Sequence, residues 1–394
     1  MGKPSNNPIK TSESSTPQKV CYYCLECAQS YPLETPLWCC PKDGNPLELS
    51  QGKGLGRDDI NTAINSVWRY GTALSLAQKP LTLGEGSTPL TEVVWEQCVV
   101  HFKLENLSAT GSFKDRGAAV LTAYLRECGI SAIAEDSSGN AGAAMSAYAA
   151  ANGLACRIYV PAQASPAKII QIAASGADII RIGGSRQQVA EAAINQSDGY
   201  FYASHNWQPF FLEGTKTLAY EIWEGFGFYT PDNIVIPVGG GSSLLGLFIG
   251  FSELLARGEI KKLPRLFGIQ AEACAPLHTA YQAGREDILP ISTSPTIAEG
   301  ITLARPIRAK QILRAIRTSR GGTVSVSENE IKESIQRLGK RGFFVEPTSA
   351  VAVAGLNNLT KSGIVGPTET TVVVLTGSGL KSVSAIEKLL NLYE

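Results

Sequence analysis

Residues 233–246 read NIVIPVGGGSSLLG, an apolar run followed by three glycines, two serines and a second apolar run. The first run is short and rich in β-branched residues, which is typical of a buried strand, and the second begins a helical stretch. Glycines between a strand and a helix permit positive φ and a close approach of the backbone to a ligand. This stretch therefore predicts one strand–turn–helix unit of an α/β fold.

Short apolar runs and helical stretches alternate along most of the chain. The predicted strands are 99–104, 132–135, 156–160, 178–182, 233–238, 266–270 and 371–376. The predicted helices include 117–125, 142–152, 166–175 and 328–341. Such alternation predicts crossover βαβ units, with helices on both faces of parallel sheets.

The composition is that of an ordinary globular protein: 394 residues, 44% hydrophobic, 18% charged and a formal net charge of zero. This length predicts two or three domains. A neutral balance argues against electrostatic capture of nucleic acid or anionic membrane, and no apolar run approaches the roughly 20 residues of a membrane span. Because the N-terminus lacks a secretory pattern, we expect a cytoplasmic protein that binds neither nucleic acid nor membrane.

Three regions are expected along the chain. Residues 1–18 are polar and aperiodic, which predicts a disordered tail. Residues 19–50 form a small cysteine-rich module, and residues 51–394 form the main α/β region. The module holds five of the nine cysteines, which favours metal binding over a disulfide framework.

The cysteine spacing in residues 19–50 resembles the two knuckles of a zinc ribbon. Asp43 stands where a fourth cysteine is expected, and zinc accepts carboxylate oxygen. We therefore predict a structural zinc site whose ligands are Cys24, Cys27, Cys40 and Asp43. Cys21 or Cys39 could instead complete the tetrahedron, and the alternative is a degenerate knuckle without metal.

Residues 110–117 read TGSFKDRG and place Lys114 between an apolar strand and an apolar helix. A lysine amine forms a Schiff base with an aldehyde when its surroundings lower its pKa. The positive end of a helix dipole disfavours the ammonium form, and so favours the nucleophilic amine. Most lysines are solvated surface groups, however, so this segment alone does not establish a catalytic role.

Three other turns follow predicted strands. One turn offers backbone amides that can converge on a phosphate, and its residues are Gly239, Gly240, Gly241, Ser242 and Ser243. Residues 137–142, SSGNAG, offer amides to an anion and the Asn140 side chain to a phenolic oxygen. Thr376 can donate to a pyridine nitrogen. Each could be a plain turn, but together with Lys114 they predict a site for pyridoxal phosphate.

These four segments, in this order, resemble those of the fold-type II (tryptophan synthase β-like) pyridoxal phosphate enzymes, and among them the threonine synthase family. Residues 213–217, EGTKT, and 346–350, EPTSA, also have counterparts there, as does the cysteine module. The resemblance covers residues 19–385. It implies two doubly wound parallel-sheet subdomains, the smaller at about 100–204 inserted in the larger, and a homodimer.

The resemblance also implies a role for each matched position. Lys114 would be the Schiff-base residue and proton shuttle, Asn140 would bind the ring 3′-oxygen, and Thr376 the pyridine nitrogen. The cofactor phosphate would be bound by Gly239, Gly240, Gly241, Ser242 and Ser243. A small amino-acid substrate would be bound by Ser137, Ser138, Gly139, Ala141 and Arg116. The implied lyase reaction converts O-phospho-L-homoserine and water into L-threonine and phosphate.

Two positions depart from the family pattern: Ala141 replaces a threonine and Phe211 replaces an arginine. Both family residues bind the substrate phosphate, through charge-assisted bonds worth roughly 1.5–3 kcal/mol each. Cations that could compensate are Arg116, Lys168, Lys216, Arg305 and Arg308. The alternative function is therefore β-elimination or β-replacement on a small amino acid such as serine or threonine. A third hypothesis is a non-enzymatic regulatory protein that contacts a partner through the cysteine module.

Overall fold

The computed structural model describes residues 19–390 except 77–80, 97, 165 and 196–198, and the side chains of residues 166–168 are also outside the description. The predicted tail at 1–18 and the side chain of Lys168 therefore lie outside the described residues. In chain order the elements are β1 (Tyr22–Tyr23), β2 (Ser30–Tyr31), β3 (Glu48–Leu49), β4 (Leu90–Trp95), β5 (Cys98–Lys103), α1 (Lys114–Glu127), β6 (Ala132–Glu135), α2 (Asn140–Ala151), β7 (Ala155–Pro161), α3 (Pro166–Ala174), β8 (Asp178–Ile182), α4 (Arg186–Asn195), β9 (Phe201–Tyr202), α5 (Pro209–Gly225), β10 (Asn233–Pro237), α6 (Ser242–Ala256), β11 (Arg265–Ala271), α7 (Pro276–Gln282), α8 (Ala309–Thr318), β12 (Gly322–Val326), α9 (Glu328–Gly339), α10 (Pro347–Lys361), β13 (Thr371–Val374) and α11 (Val383–Leu390).

The larger sheet has six strands in the order β12-β11-β10-β13-β5-β4. All its pairings are parallel except that of β4 with β5. Every residue of β10 and β13 is buried, which explains why both read as continuous apolar runs. The antiparallel edge strand β4 was not predicted, because its exposed and buried residues alternate irregularly and Thr91 and Glu92 interrupt the apolar run.

Helices cover both faces of this sheet, as the sequence alternation predicts. Ile234 and Ile236 point into a core with residues of α5, α6 and α8. Val235 and Val373 point the other way, into a core with residues of α9 and α10. The α/β class with parallel sheets is thus confirmed.

The smaller sheet has four parallel strands in the order β8-β7-β6-β9, and its strands lie between β5 and β10 in the chain. Ile133 and Ile158 belong to a core with α1 and α2, whereas Ala134 and Tyr159 belong to a core with α4. This sheet also has helices on both faces. Within the described residues, no helix is both long enough and apolar enough to cross a bilayer.

The N-terminal module consists of β1 paired antiparallel with β2 and β3. Its Tyr22 hydroxyl lies 2.6 Å from the Tyr124 hydroxyl on α1, and the Tyr22 ring packs edge-on against Phe210 of α5. Arg308 donates to the carbonyl of Leu47 at 2.9 Å. The module is therefore held against the main body by both aromatic and charged contacts.

The carboxyl ends of β5, β10 and β13 open at one edge of the larger sheet, because these strands are parallel neighbours. The segments that follow them contain Lys114, the glycines at 239–241 and Thr376. Open α/β sheets bind ligands at this edge.

Candidate active site

Lys114 is the first residue of α1, and backbone contacts hold its segment against the turn after β13. The Phe113 amide donates to the Thr376 carbonyl at 3.0 Å, and Ser112 forms an antiparallel bridge with Gly377. The Lys114 Nζ lies 3.4 Å from Ser242 Oγ. The structure thus brings together three of the four predicted cofactor segments around one amine.

The surroundings of the Lys114 amine favour its neutral form. Burial lowers the pKa of Lys114 to about 8, although negative charge on Glu135 and Glu346 acts in the opposite direction. The Nζ lies 4.7 Å from the centroid of the Phe113 ring and 5.6 Å from that of Phe211. At pH 7 about a tenth of such an amine is neutral, compared with under about 0.1% for an ordinary lysine.

The glycine turn lies between β10 and α6, and it leaves no room for side chains. A Cβ on Gly239 would lie 2.8 Å from Ile301 Cα, and one on Gly240 would overlap Asn206 Oδ1. Gly241 has a φ of +81°, which favours glycine. Backbone amides at the start of a helix attract anions, so this turn can bind a phosphate.

Asn140 is the first residue of α2 and reaches across to the larger subdomain. Its Nδ2 lies 3.0 Å from both carboxylate oxygens of Glu346, the residue that precedes α10. Burial raises the pKa of Glu346, while Asn140 and the cations Lys381 and Lys114 lower it. Glu346 belongs to the segment EPTSA, but no role could be predicted for it, because Asn140 and Glu346 are 206 residues apart in the chain.

Thr376 forms part of a buried pair of hydroxyl groups at the end of β13. Its Oγ1 lies 3.1 Å from Ser349 Oγ, which also accepts from the Gly377 amide at 2.8 Å. Ser349 was another residue without a predicted role. A hydroxyl pair offers a neutral donor, rather than a carboxylate, to a ligand at this position.

The predicted substrate loop joins β6 to α2. Ser137 and Ser138 are half-buried, Gly139 is exposed and Ala141 is buried. The Gly139 amide donates to Ser137 Oγ at 3.3 Å. The loop stands beside Asn140 at the same edge, and its contact with a substrate stays a prediction.

The structure does not support the prediction that Arg116 contacts the substrate. Its guanidinium is fully buried, with Nε 2.7 Å from Glu105 and Nη1 2.9 Å from Glu221. Thr217 and Thr88 also accept from it. Because these contacts use its donors inside the protein, Arg116 is a structural residue.

Two other candidate cations are also held in structural contacts. Lys216 is buried between Glu213 and Glu253, at 2.8 and 2.9 Å. Arg308 is buried and donates to backbone carbonyls, including that of Asn206 at 3.0 Å. Arg305 remains exposed.

Phe211 is buried in the first turn of α5 and forms an aromatic wall next to Lys114. A Cβ on Gly117 would overlap its ring, so the glycine in α1 accommodates Phe211. His205 packs edge-on against the same ring at 5.8 Å, and its Nδ1 lies 3.0 Å from Glu135. The site is therefore apolar at position 211. The His205–Glu135 pair beside it was not predicted from the sequence, because its members are 70 residues apart in the chain.

The predicted metal ligands lie close together. One ligand atom from each of Cys24, Cys27, Cys40 and Asp43 lies within 4.8 Å of all the others. The Sγ atoms of Cys27 and Cys40 are 3.6 Å apart, and Cys24 Sγ is 3.4 Å from an Asp43 oxygen. This is a group of thiol and carboxylate donors that could hold one ion.

Comparison with known proteins agrees with this geometry. A family described as pyridoxal-phosphate dependent enzyme matches residues 81–377. A threonine synthase from Methanosarcina acetivorans is 33% identical over 371 residues, which is 91% of each chain. A threonine synthase from Methanocaldococcus jannaschii is 32% identical over 377 residues, covering 92% of this chain and 93% of the relative.

Solved structures show the same fold. The processed form of threonine deaminase isoform 2 from Solanum lycopersicum superposes with a TM-score of 0.66 at 22% identity. The match covers 78% of this chain and 88% of the other. At this identity the likeness concerns the fold alone.

Proposed function

The chain belongs to the threonine synthase family of pyridoxal-phosphate-dependent enzymes, and on that premise we propose that it converts O-phospho-L-homoserine and water into L-threonine and phosphate. The observation that carries the proposal is the Lys114 amine, whose pKa is about 8 and whose Nζ lies 3.4 Å from Ser242, just after three glycines. Membership of an enzyme family leaves the non-enzymatic hypothesis without support.

Pyridoxal phosphate fits the residues present. The site has an amine for its aldehyde, a turn of glycines that side chains would fill, and a buried hydroxyl pair at Thr376 and Ser349. When bound, pyridoxal phosphate supplies an electron sink that stabilises negative charge next to the α-carbon. Gly239, Gly240, Gly241, Ser242 and Ser243 would hold its phosphate.

The other proposed roles follow from where each group lies. Lys114 would bind the aldehyde carbon and then move protons at the α-, β- and γ-carbons of the substrate. Asn140 would orient the ring through its 3′-oxygen, with Glu346 fixing the amide. Thr376 would donate to the pyridine nitrogen and leave it unprotonated. Residues 137–139 would hold the substrate carboxylate, and Ala141 would contact the substrate at the position where the family threonine binds the phosphate.

Measuring the two products of the proposed reaction tests this function. Purified protein loaded with pyridoxal phosphate should release equal amounts of phosphate and threonine from O-phospho-L-homoserine. Visible absorbance of the bound cofactor should be present before substrate is added. If that absorbance is present and no threonine forms, the cofactor site stands and the reaction is wrong.

A second reaction is favoured by the apolar wall at position 211. Phe211 is buried beside Lys114, and Arg116, Lys216 and Arg308 are held elsewhere. A substrate with an uncharged leaving group suits this wall better than a phosphate. We therefore propose β-elimination from serine or threonine, giving a 2-oxo acid and ammonia, as the alternative. The same preparation assayed with serine and threonine separates the two reactions.

We also propose a structural zinc ion in the N-terminal module, bound by Cys24, Cys27, Cys40 and Asp43. Zinc–sulfur bonds of about 2.3 Å in a tetrahedron give a sulfur–sulfur distance of roughly 3.8 Å. The separation of 3.6 Å between Cys27 and Cys40 supports this. Elemental analysis should find one zinc per chain, and Asp43→Ala should lower that content while Asp43→Cys retains it.

A further inference from the structure

A cavity of about 350 Å³ lies between the N-terminal module and the main body. Its walls come from β3 and the residues around it on one side, and from α5, α6 and α8 on the other. None of the residues proposed above to bind cofactor, substrate or zinc lines it. Its volume lies at the lower end of the roughly 300–1,000 Å³ of small-molecule sites. We call this space the module–body cavity.

Charges of both signs line the module–body cavity. Glu48 lies on the module side, and Arg314 of α8 lies on the body side. Within the described residues, neither side chain has an ion-pair partner within 4.0 Å. The cavity thus holds a carboxylate and a guanidinium that do not neutralise each other.

Glu213 adds a second, buried carboxylate to the same wall. Its Oε2 is paired with Lys216 Nζ at 2.8 Å. Lys216 also contacts Glu253, so one lysine faces two carboxylates. Two buried carboxylates thus share one cation, and the ammonium group of a ligand would add a second positive charge beside them.

Part of the body-side wall is apolar. Leu212, Leu245, Phe248 and Ile249 lie along α5 and α6 on the body side. A ligand that matches the cavity therefore needs an ammonium group, a carboxylate and an aliphatic part, within a small volume. A free α-amino acid with a branched aliphatic side chain has these three features.

We propose that the module–body cavity is a second amino-acid site, separate from the catalytic one. Arg314 binds the α-carboxylate of the ligand. Glu48 and Glu213 accept from its α-ammonium group. The aliphatic side chain packs against Leu245 and Phe248.

The cavity walls lead directly to the catalytic lysine. Leu212 and Glu213 follow Phe211, whose ring lies 5.6 Å from the Lys114 Nζ. Leu245 lies one turn after Ser242, whose Oγ is 3.4 Å from the same atom. A ligand in the cavity contacts both helices that pack against Lys114, so its binding changes KM or kcat of the enzyme.

Calorimetric titration of the cofactor-loaded protein with L-isoleucine tests the site without turnover. One saturable site per chain is expected, with binding lost for 3-methylpentanoic acid and 2-methylbutylamine, which lack one of the two charges. Arg314→Gln should weaken binding about 10- to 150-fold, the worth of charge-assisted bonds. Ser252→Trp fills the cavity and should abolish binding. Arg317→Gln is the matched control, because Arg317 is on the same helix and donates to the Arg285 carbonyl outside the cavity.

Two results would overturn the proposal. One is the absence of saturable heat up to about 10 mM L-isoleucine. The other is binding that persists in both Arg314→Gln and Ser252→Trp while changing the visible absorbance of the cofactor, which would place the ligand in the catalytic site. Circular dichroism of both variants checks that they fold. Because the titration requires no reaction, failure of the proposed threonine synthesis would leave its outcome readable.

Discussion

Two cations lie two residues apart at the start of α1, and burial has opposite consequences for them. Lys114 has no ion-pair partner within 4.0 Å in the described part of the chain, and burial lowers its pKa to about 8. Arg116 is also deprived of water, which by itself would lower its pKa. Glu105 and Glu221 nevertheless raise the pKa of Arg116 well above its ordinary value. Desolvation without a partner produces a reactive amine, whereas desolvation with two carboxylates produces a permanent charge.

Lys114 and Arg116 therefore have different roles in the first turn of α1: Arg116 is structural and Lys114 is the proposed reactive amine. Arg116 joins α1 to α5 and to the residues after β5 through Glu221 and Glu105. Lys103 on β5 reaches Glu221 at 2.5 Å and extends the same network. The network fixes the helix, and the fixed helix presents Lys114 at the sheet edge. Substitutions at the two positions should therefore affect different measurements.

Lys114→Ala should have the largest effect on catalysis. Loss of a positioned acid–base group costs about 10²- to 10⁴-fold in rate, and here the attachment of the cofactor is lost as well. The folded state should be at least as stable as before, because the substitution removes a half-buried charge without an ion-pair partner. Steady-state assays and urea unfolding measure the two quantities. Lys262→Ala, at an exposed lysine paired with Asp232, is the control. A variant that keeps more than a tenth of the activity would remove Lys114 from the mechanism.

Arg116→Met should have the reverse profile, with stability as the main loss. It leaves Glu105 and Glu221 buried without their partner, which costs about 3–5 kcal/mol of unfolding free energy. Arg265→Met is the matched control: its ion pair with Glu369 at 2.7 Å is about one third exposed and contributes under about 1 kcal/mol. Urea unfolding of both variants measures the difference. Equal losses in the two would mean that burial of the Arg116 network is energetically unimportant.

The pH dependence of cofactor capture tests the lowered pKa of Lys114. Its neutral form is the nucleophile, so the capture rate of cofactor-free protein should rise with pH and level off above about 8. Between pH 8 and 9.5 the rate should increase less than about twofold, compared with roughly 30-fold for an ordinary lysine. Stopped-flow absorbance after mixing with pyridoxal phosphate measures this rate.

A second variant sharpens the same measurement. Because the negative charge of Glu346 raises the pKa of Lys114, Glu346→Gln should move the plateau to lower pH. A plateau that moves to higher pH would contradict the assigned direction of that interaction.

The sequence predicted the features that depend on residues close together in the chain. Strands at 132–135 and 178–182 match β6 and β8, since short apolar runs between turns are local signals. The sequence predicted one cofactor site from Lys114, the glycines and Thr376, and the structure places these three segments at one edge of the larger sheet. The structural role of Arg116 could not be predicted, because its partner Glu221 lies 105 residues away in the chain. The pairing of Asn140 with Glu346 spans 206 residues and was missed for the same reason. The homodimer and the cytoplasmic location stay predictions.

A smaller effect than those of Lys114→Ala and Arg116→Met is expected at Ala141, one of the two positions that distinguish the two candidate reactions. Ala141→Thr adds one hydroxyl to the substrate loop without touching Lys114 or Arg116. A hydrogen bond to a charged substrate phosphate is worth about 1.5–3 kcal/mol, so kcat/KM for O-phospho-L-homoserine relative to serine should rise about 10- to 150-fold. Ala141→Val has the same shape without the hydroxyl and should leave the ratio unchanged. Because Ala141 is buried at the start of α2, both variants carry the same steric cost. A ratio that changes equally in both would show that shape, and not hydrogen bonding, controls substrate choice at this loop.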